Sequence, residues 1–154
     1  MTTYLVRHAS AGHRNDSDPA DDDRPLDETG LVQAQKLASW LRHEPIDALV
    51  TSPFLRCRQS VEPLAAALGL KLTVAPELAE GTPIERSWPL LASFAERNAV
   101  FCSHGDVIPD LIRRAQLRGM HIPGKSGCAK GSVWTLQHWD DERFATGIYT
   151  PIPR

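Results

Sequence analysis

An α/β fold, a three-layer α/β/α sandwich with a mostly parallel central sheet and an antiparallel edge hairpin, is predicted for this chain by three observations. Short apolar runs alternate with helix-period runs from one end to the other. The apolar runs are too continuous for strands exposed on one face. The last two runs are separated by only a few polar residues, which fits a hairpin and leaves no room for a crossover.

In chain order, "TYLV" (3–6) reads as a buried strand. A helix follows, with Leu31, Ala34, Ala38 and Leu41 at three- and four-residue spacing, a cap at Asp27 or Thr29, and an end near His43 before Pro45. "DALVTS" (47–52) is the next strand, and residues 54–68 repeat the helical pattern up to Gly69, with Pro63 inside it. "LKLTVA" (70–75) and "AVFCSH" (99–104) are further strands, with a helix at 87–97 between them. A helix at 107–119 admits Pro109 because that residue falls in the first turn. "GSVWTLQHW" and "RFATGIYT", flanking "DDE", form the hairpin. Neither an internal repeat nor a composition shift marks a boundary, so residues 1–154 are expected to be a single domain. Long polar connections at 10–26, 76–86 and 119–131 are candidate binding loops.

Composition narrows the classes of function. A chain of 154 residues, 42% hydrophobic, 23% charged and with a formal net charge of −2, has no basic excess to attract nucleic acid or an anionic membrane. No apolar stretch approaches the ~20 residues that span a bilayer, and the N-terminus lacks a signal-peptide pattern, so a cytoplasmic location is expected. Cys57, Cys102 and Cys128, odd in number and widely spaced, suit reduced thiols.

The chemistry gathers where strands end. Arg7 and His8 follow "YLV", His104 ends "VFCSH", and Arg56 lies in the first helical turn after "ALVTS" and Pro53. In open α/β sheets ligands bind at the carboxyl ends of strands. Two histidines and two arginines therefore converge on one sheet edge, and the arginine forks suit a phosphoryl group. His13, Arg14 and Arg24 stand in the first loop, where Arg14 and Arg24 are candidates for contacting a second phosphate or an acidic group of the substrate. Trp88, Trp134 and Trp139 are expected to pack in the core or at the sheet edge.

Four separated blocks carry a family resemblance over residues 4 to about 108. "LVRHASAG" resembles the Arg-His-Gly signature of the histidine phosphatase (phosphoglycerate mutase-like) superfamily, with Ala9 in the glycine's place. "RPLDETGLVQA" (24–34) is similar to the family's approach to its first helix, "SPFLRCRQSVEPLA" (52–65) to its Ser-Pro-x-x-Arg-x-x-Gln-Thr block, and "CSHGDVI" (102–108) to the segment holding its second histidine. The short chain looks most like the small SixA branch of phosphohistidine phosphatases and the phosphatase-like domains appended to some Nudix hydrolases.

The resemblance implies a hydrolase in which His8 attacks phosphorus and becomes a phosphohistidine that water hydrolyses. Arg7, Arg56 and His104 would hold and neutralise the phosphoryl oxygens, with no metal or other cofactor required. Like-charge repulsion from Arg7 and Arg56 is expected to keep the His8 imidazole neutral. Glu80, at the family's Leu-x-Glu position, is the first candidate for the general acid, with Glu77 and Asp106 behind it. The substrate is expected to be a phosphomonoester, a nucleotide phosphate or a protein phosphohistidine. A mutase of the same fold and a non-catalytic phosphate-binding module are the alternatives, and oligomeric state is open.

Rival phosphatase chemistries find no support in the residues. Six positions after the three cysteines stand Pro63, Ile108 and Trp134 where a cysteine-dependent enzyme needs arginine. Asp16 and Asp18 sit in a polar loop instead of directly after a strand. Asp21, Asp22, Asp23 and His13, or His104 with Asp106, lack the ligand spacing of the common metal motifs.

Overall fold

The computed structural model describes residues 1–14 and 18–152, so Asp16 lies outside the described residues. Six strands form: β1 (Thr2–Arg7), β2 (Ala48–Thr51), β3 (Leu72–Val74), β4 (Ala99–Ser103), β5 (Val133–Asp140) and β6 (Arg143–Thr150). Four helices accompany them: α1 (Glu28–Leu41), α2 (Leu55–Leu68), α3 (Ile84–Ser93) and α4 (Val107–Leu117). The strands make one sheet in the order β3-β2-β4-β1-β5-β6. Pairings among β1, β2, β3 and β4 are parallel, and β5 pairs antiparallel with both β1 and β6.

Period-two alternation sorts the strand side chains onto two faces. Tyr4, Val6, Leu49, Val100 and Cys102 pack with Leu37 and Leu41 of α1 and Val61 and Leu64 of α2. Leu5, Val50, Phe101 and Trp134 pack on the opposite side with Trp88 and Leu91 of α3 and Ile108 and Leu111 of α4. The three-layer sandwich follows directly from that alternation. Among the described residues no helix is long and apolar enough to cross a membrane.

Local chemistry sets the ends. Asp27 caps α1, accepting the Gly30 N–H at 2.8 Å, and also accepts the Ser10 hydroxyl at 2.7 Å and the Gly12 N–H at 2.9 Å. These bonds hold its carboxyl below the usual aspartate range, the Ser10 contact most of all. They also fasten the loop after β1 to the start of α1. Gly30 is needed there because a Cβ would lie 1.9 Å from the Ser10 carbonyl oxygen. Helix α2 continues through Pro63 and ends on Gly69 in the left-handed conformation. The hairpin turn, Asp141–Glu142, has positive φ at both residues (52° and 59°), as a type I′ turn requires.

Two boundaries differ from the sequence reading. The helix expected at 87–97 begins at Ile84, because the Pro83 carbonyl accepts the Arg86 and Ser87 N–H groups and starts the helix three residues earlier. It stops at Ser93, after which Phe94, Ala95 and Arg97 bond carbonyls three residues back in tight turns. The strand expected at 70–75 is the three-residue edge strand β3, since the Leu70 N–H is spent on Ala65 in the α2 cap. At the opposite edge His121 covers part of β6: its N–H donates to Ala145 and its carbonyl accepts from Gly147.

Candidate active site

Register brings the predicted residues together. Arg7 at the end of β1 stands beside Ser103 at the end of β4, and Thr51 at the end of β2 beside Cys102. The next residues, His8, Ser52 and His104, therefore meet at one edge, with the His8 N–H bonded to Ser103 O and the Ser52 N–H to Cys102 O, both at 3.0 Å.

His8 is 5% exposed, and its Nδ1 lies 2.8 Å from the Ala9 carbonyl oxygen. A carbonyl only accepts, so Nδ1 carries the proton and Nε2 keeps a lone pair. The pKa is lowered to about 3, first by burial, with His104, Arg56 and Arg7 adding repulsion against the hydrogen bond to Ala9 that favours the charged form. Neutrality was expected from the two arginines, but desolvation is the larger cause. The Ala9 backbone has no positive φ, so alanine serves in the glycine's place, and its N–H is held by Ser60 Oγ at 2.8 Å. Ser60 also donates to the Arg56 carbonyl at 2.7 Å, tying the loop after β1 to the first turn of α2.

Arg56, 1% exposed, donates to the Asp21 carbonyl at 2.9 Å, faces the Asp21 and Glu80 carboxylates at 3.4 Å each, and lies over the Phe54 ring. Arg7 is anchored by the Cys128 carbonyl at 2.6 Å and lies against Gly105, where an added Cβ would come within 2.8 Å of the guanidinium carbon. His104 Nε2 is 2.9 Å from Ser52 Oγ and 3.4 Å from Cys57 Sγ. Ser52 Oγ also accepts the Phe54 N–H at 3.2 Å, which ties the start of α2 to the His104 ring. Among the described residues Arg7 Nε, Arg56 Nε and His104 Nδ1 are buried with no hydrogen-bond partner. Buried polar atoms are normally paired; Arg7 and Arg56 line the hollow beside His8, where their unpartnered Nε–H groups can meet an anion, whereas His104 lines neither hollow that reaches His8.

Two hollows open onto His8. One, of about 120 Å³, is lined by Arg7, His8, Arg24, Arg56 and Lys130 among others. The second, of about 480 Å³, is lined by Arg7, His8, Gly81, Gly105 and Asp106 among others. Arg14 and Glu80 line both. Glu80 spans two arginines, accepting from Arg14 at 2.6 Å and from Arg56 at 3.4 Å. Arg24 reaches the Asp21 carboxylate at 3.0 Å and the Ala11 carbonyl. Asp106 accepts the Gly81 N–H at 2.7 Å, while Glu77 and His13 line neither hollow.

Sequence reasoning missed several partners. Asp21, named above only in a metal set that lacks ligand spacing, is the buttress of Arg56; no local pattern announces it. Ser60 was detectable, standing one helical turn after Arg56. Lys130 and the Cys128 carbonyl enter from the loop after α4, whose path the sequence does not specify. Among the described residues no three His, Cys, Asp or Glu side chains form a group able to hold a metal.

Comparisons with known proteins agree with this geometry. The model of the histidine phosphatase superfamily (branch 1) matches residues 3–82. The chain is 34% identical over 155 residues to an 8-oxo-(d)GTP phosphatase of Mycolicibacterium smegmatis, covering 97% of this chain and 48% of that protein. It is 33% identical over 82 residues to the phosphohistidine phosphatase SixA of Escherichia coli, covering 51% of this chain and 49% of that one. The chain thus matches about half the length of each. A solved SixA structure with tungstate superposes with a TM-score of 0.75 at 22% identity, over 97% of this chain and 94% of that one.

Proposed function

We infer the activity from one premise: the chain belongs to the histidine phosphatase superfamily, branch 1. It is a phosphatase that needs no metal, and it releases phosphate from a phosphorylated substrate through a phosphohistidine on His8. The observation that carries the reading is the neutral Nε2 of His8 beside the buried, unpartnered Nε–H groups of Arg7 and Arg56.

In the first half-reaction the Nε2 lone pair attacks phosphorus and the bond to the leaving oxygen breaks, that oxygen keeping the electron pair. Arg7 and Arg56, with His104 beside them, hold the equatorial oxygens, and the two guanidiniums supply the charge that a metal would otherwise provide. In the second, water attacks the phosphohistidine, the P–N pair returns to Nε2, and a water proton passes to solvent. The Nδ1–H bond to Ala9 keeps the ring oriented throughout. The products of a phosphomonoester, nucleotide or phosphohistidine substrate are inorganic phosphate and the dephosphorylated group.

The test is hydrolysis of p-nitrophenyl phosphate in excess EDTA. Turnover that persists with chelator and disappears in His8→Asn supports the reading. Turnover restored only by a divalent cation, or retained in His8→Asn, overturns it.

A further inference from the structure

Both carboxylates at the mouth of the site are engaged as acceptors at both oxygens. Glu80 takes an N–H of Arg14 on Oε2 and one of Arg56 on Oε1. Asp106 takes the Gly81 N–H on Oδ2 at 2.7 Å and the Val107 N–H on Oδ1 at 2.9 Å. Neither is arranged to hand a proton to a departing alkoxide, a contribution worth on the order of 10²–10⁴ in rate. The site therefore favours a leaving group that departs as a stable anion.

The same hollow holds more positive charge than one phosphoryl group uses. Lys130 lines it beside Arg14, yet among the described residues it makes no salt bridge. Its backbone is fixed to the nucleophile strand: the Gly131 N–H donates to both Arg7 O and His8 O at 3.1 Å, and the Arg7 N–H donates to Ser132 O at 3.0 Å. Lys130 acts at a distance on the Asp27 carboxylate, which is already occupied by Ser10, Gly12 and Gly30.

We propose that Lys130 and Arg14 form a second anion position and that the preferred substrate is a phosphoanhydride, its terminal phosphoryl on Arg7, Arg56 and His104 and its penultimate phosphate against Lys130. The proposal rests on the phosphatase reading above and specifies its substrate class. Nε2 of His8 attacks the terminal phosphorus, the bridging P–O bond breaks, and its electron pair stays on the bridging oxygen. That oxygen becomes part of a released phosphate and needs no proton to leave. Glu80 is then a positioning residue that holds Arg14 and Arg56 apart.

The experiment compares inorganic pyrophosphate, ADP, p-nitrophenyl phosphate and glycerol phosphate as substrates, in EDTA, for the wild type, Lys130→Met and Lys130→Arg. Wild-type kcat/KM is expected to be at least about 10² higher on ADP or pyrophosphate than on glycerol phosphate. Lys130→Met is expected to lose about tenfold on the diphosphates and markedly less on p-nitrophenyl phosphate, with Lys130→Arg restoring most of the loss. Comparable kcat/KM on ADP and glycerol phosphate, or equal losses on all substrates in Lys130→Met, overturns the second position while leaving the phosphatase reading intact. Absence of turnover on p-nitrophenyl phosphate and on the diphosphates alike overturns both.

Discussion

The floor of the site and its rim are built on opposite terms. On the floor, His8, Arg56 and His104 are at most 5% exposed and are held by strand register, Ser52, Ser60 and backbone carbonyls. At the rim, Arg14 is 56% exposed at its side chain and Glu80 23%, and their contacts run between loops. A buried donor without a partner is costly until an anion arrives, whereas an exposed one is hydrated meanwhile. In the proposed reading the floor binds the phosphoryl oxygens and the rim tunes which phosphate compound is accepted.

That contrast predicts a ranking of effects. His8→Asn should lower kcat on any phosphate substrate by on the order of 10⁴ or more, because the proposed reaction runs through the Nε2 lone pair that the asparagine lacks. Retention of more than a small fraction of activity would remove the nucleophile from the floor. Arg56→Met should reduce kcat/KM by on the order of 10²–10³ in steady-state assays, since the buried guanidinium charge and its unpartnered Nε–H disappear from the transition state. Gly105→Ala should cost roughly 10–10² in kcat/KM without loss of fold, because the new methyl displaces the Arg7 guanidinium and little else. Arg14→Ala, at the rim, should change kcat on p-nitrophenyl phosphate by less than about threefold, as expected for an exposed pair worth under about 1 kcal/mol.

Acid should expose the same division. The His8 pKa falls from 6.5 unfolded to about 3 in the fold, so above 6.5 both states are neutral and no stability is at stake. Below 6.5 the unfolded chain binds a proton that the folded one refuses. Stability is lost progressively as pH drops from 6.5 toward 3, by several kcal/mol, on the order of 1.4 kcal/mol per unit of pH. Urea titrations of the wild type and His8→Asn across that range should show the wild type losing stability faster on acidification. Parallel curves would mean that the imidazole is not desolvated.

The same line separates what the sequence discloses from what it withholds. Arg7, His8, Arg56 and His104 were legible because strand ends and a helix start leave periodic patterns, and register then does the assembling. Asp21, Cys128 and Lys130 were not, because loop paths place them and two of their contacts use backbone carbonyls, which every residue carries. The α3 limits were missed for a related reason: Pro83 begins the helix through its carbonyl, while the apolar pattern becomes visible only at Trp88.

The central claim is that Nε2 of His8 takes the phosphoryl group. Mixing enzyme with ³²P-labelled substrate, quenching in alkali within a turnover and mapping the labelled peptide tests it directly. The account predicts an alkali-stable, acid-labile label on the peptide carrying His8, absent in His8→Asn. Label on the His104 peptide, or phosphate released with oxygen from labelled water and no phosphoenzyme at any time point, would contradict it.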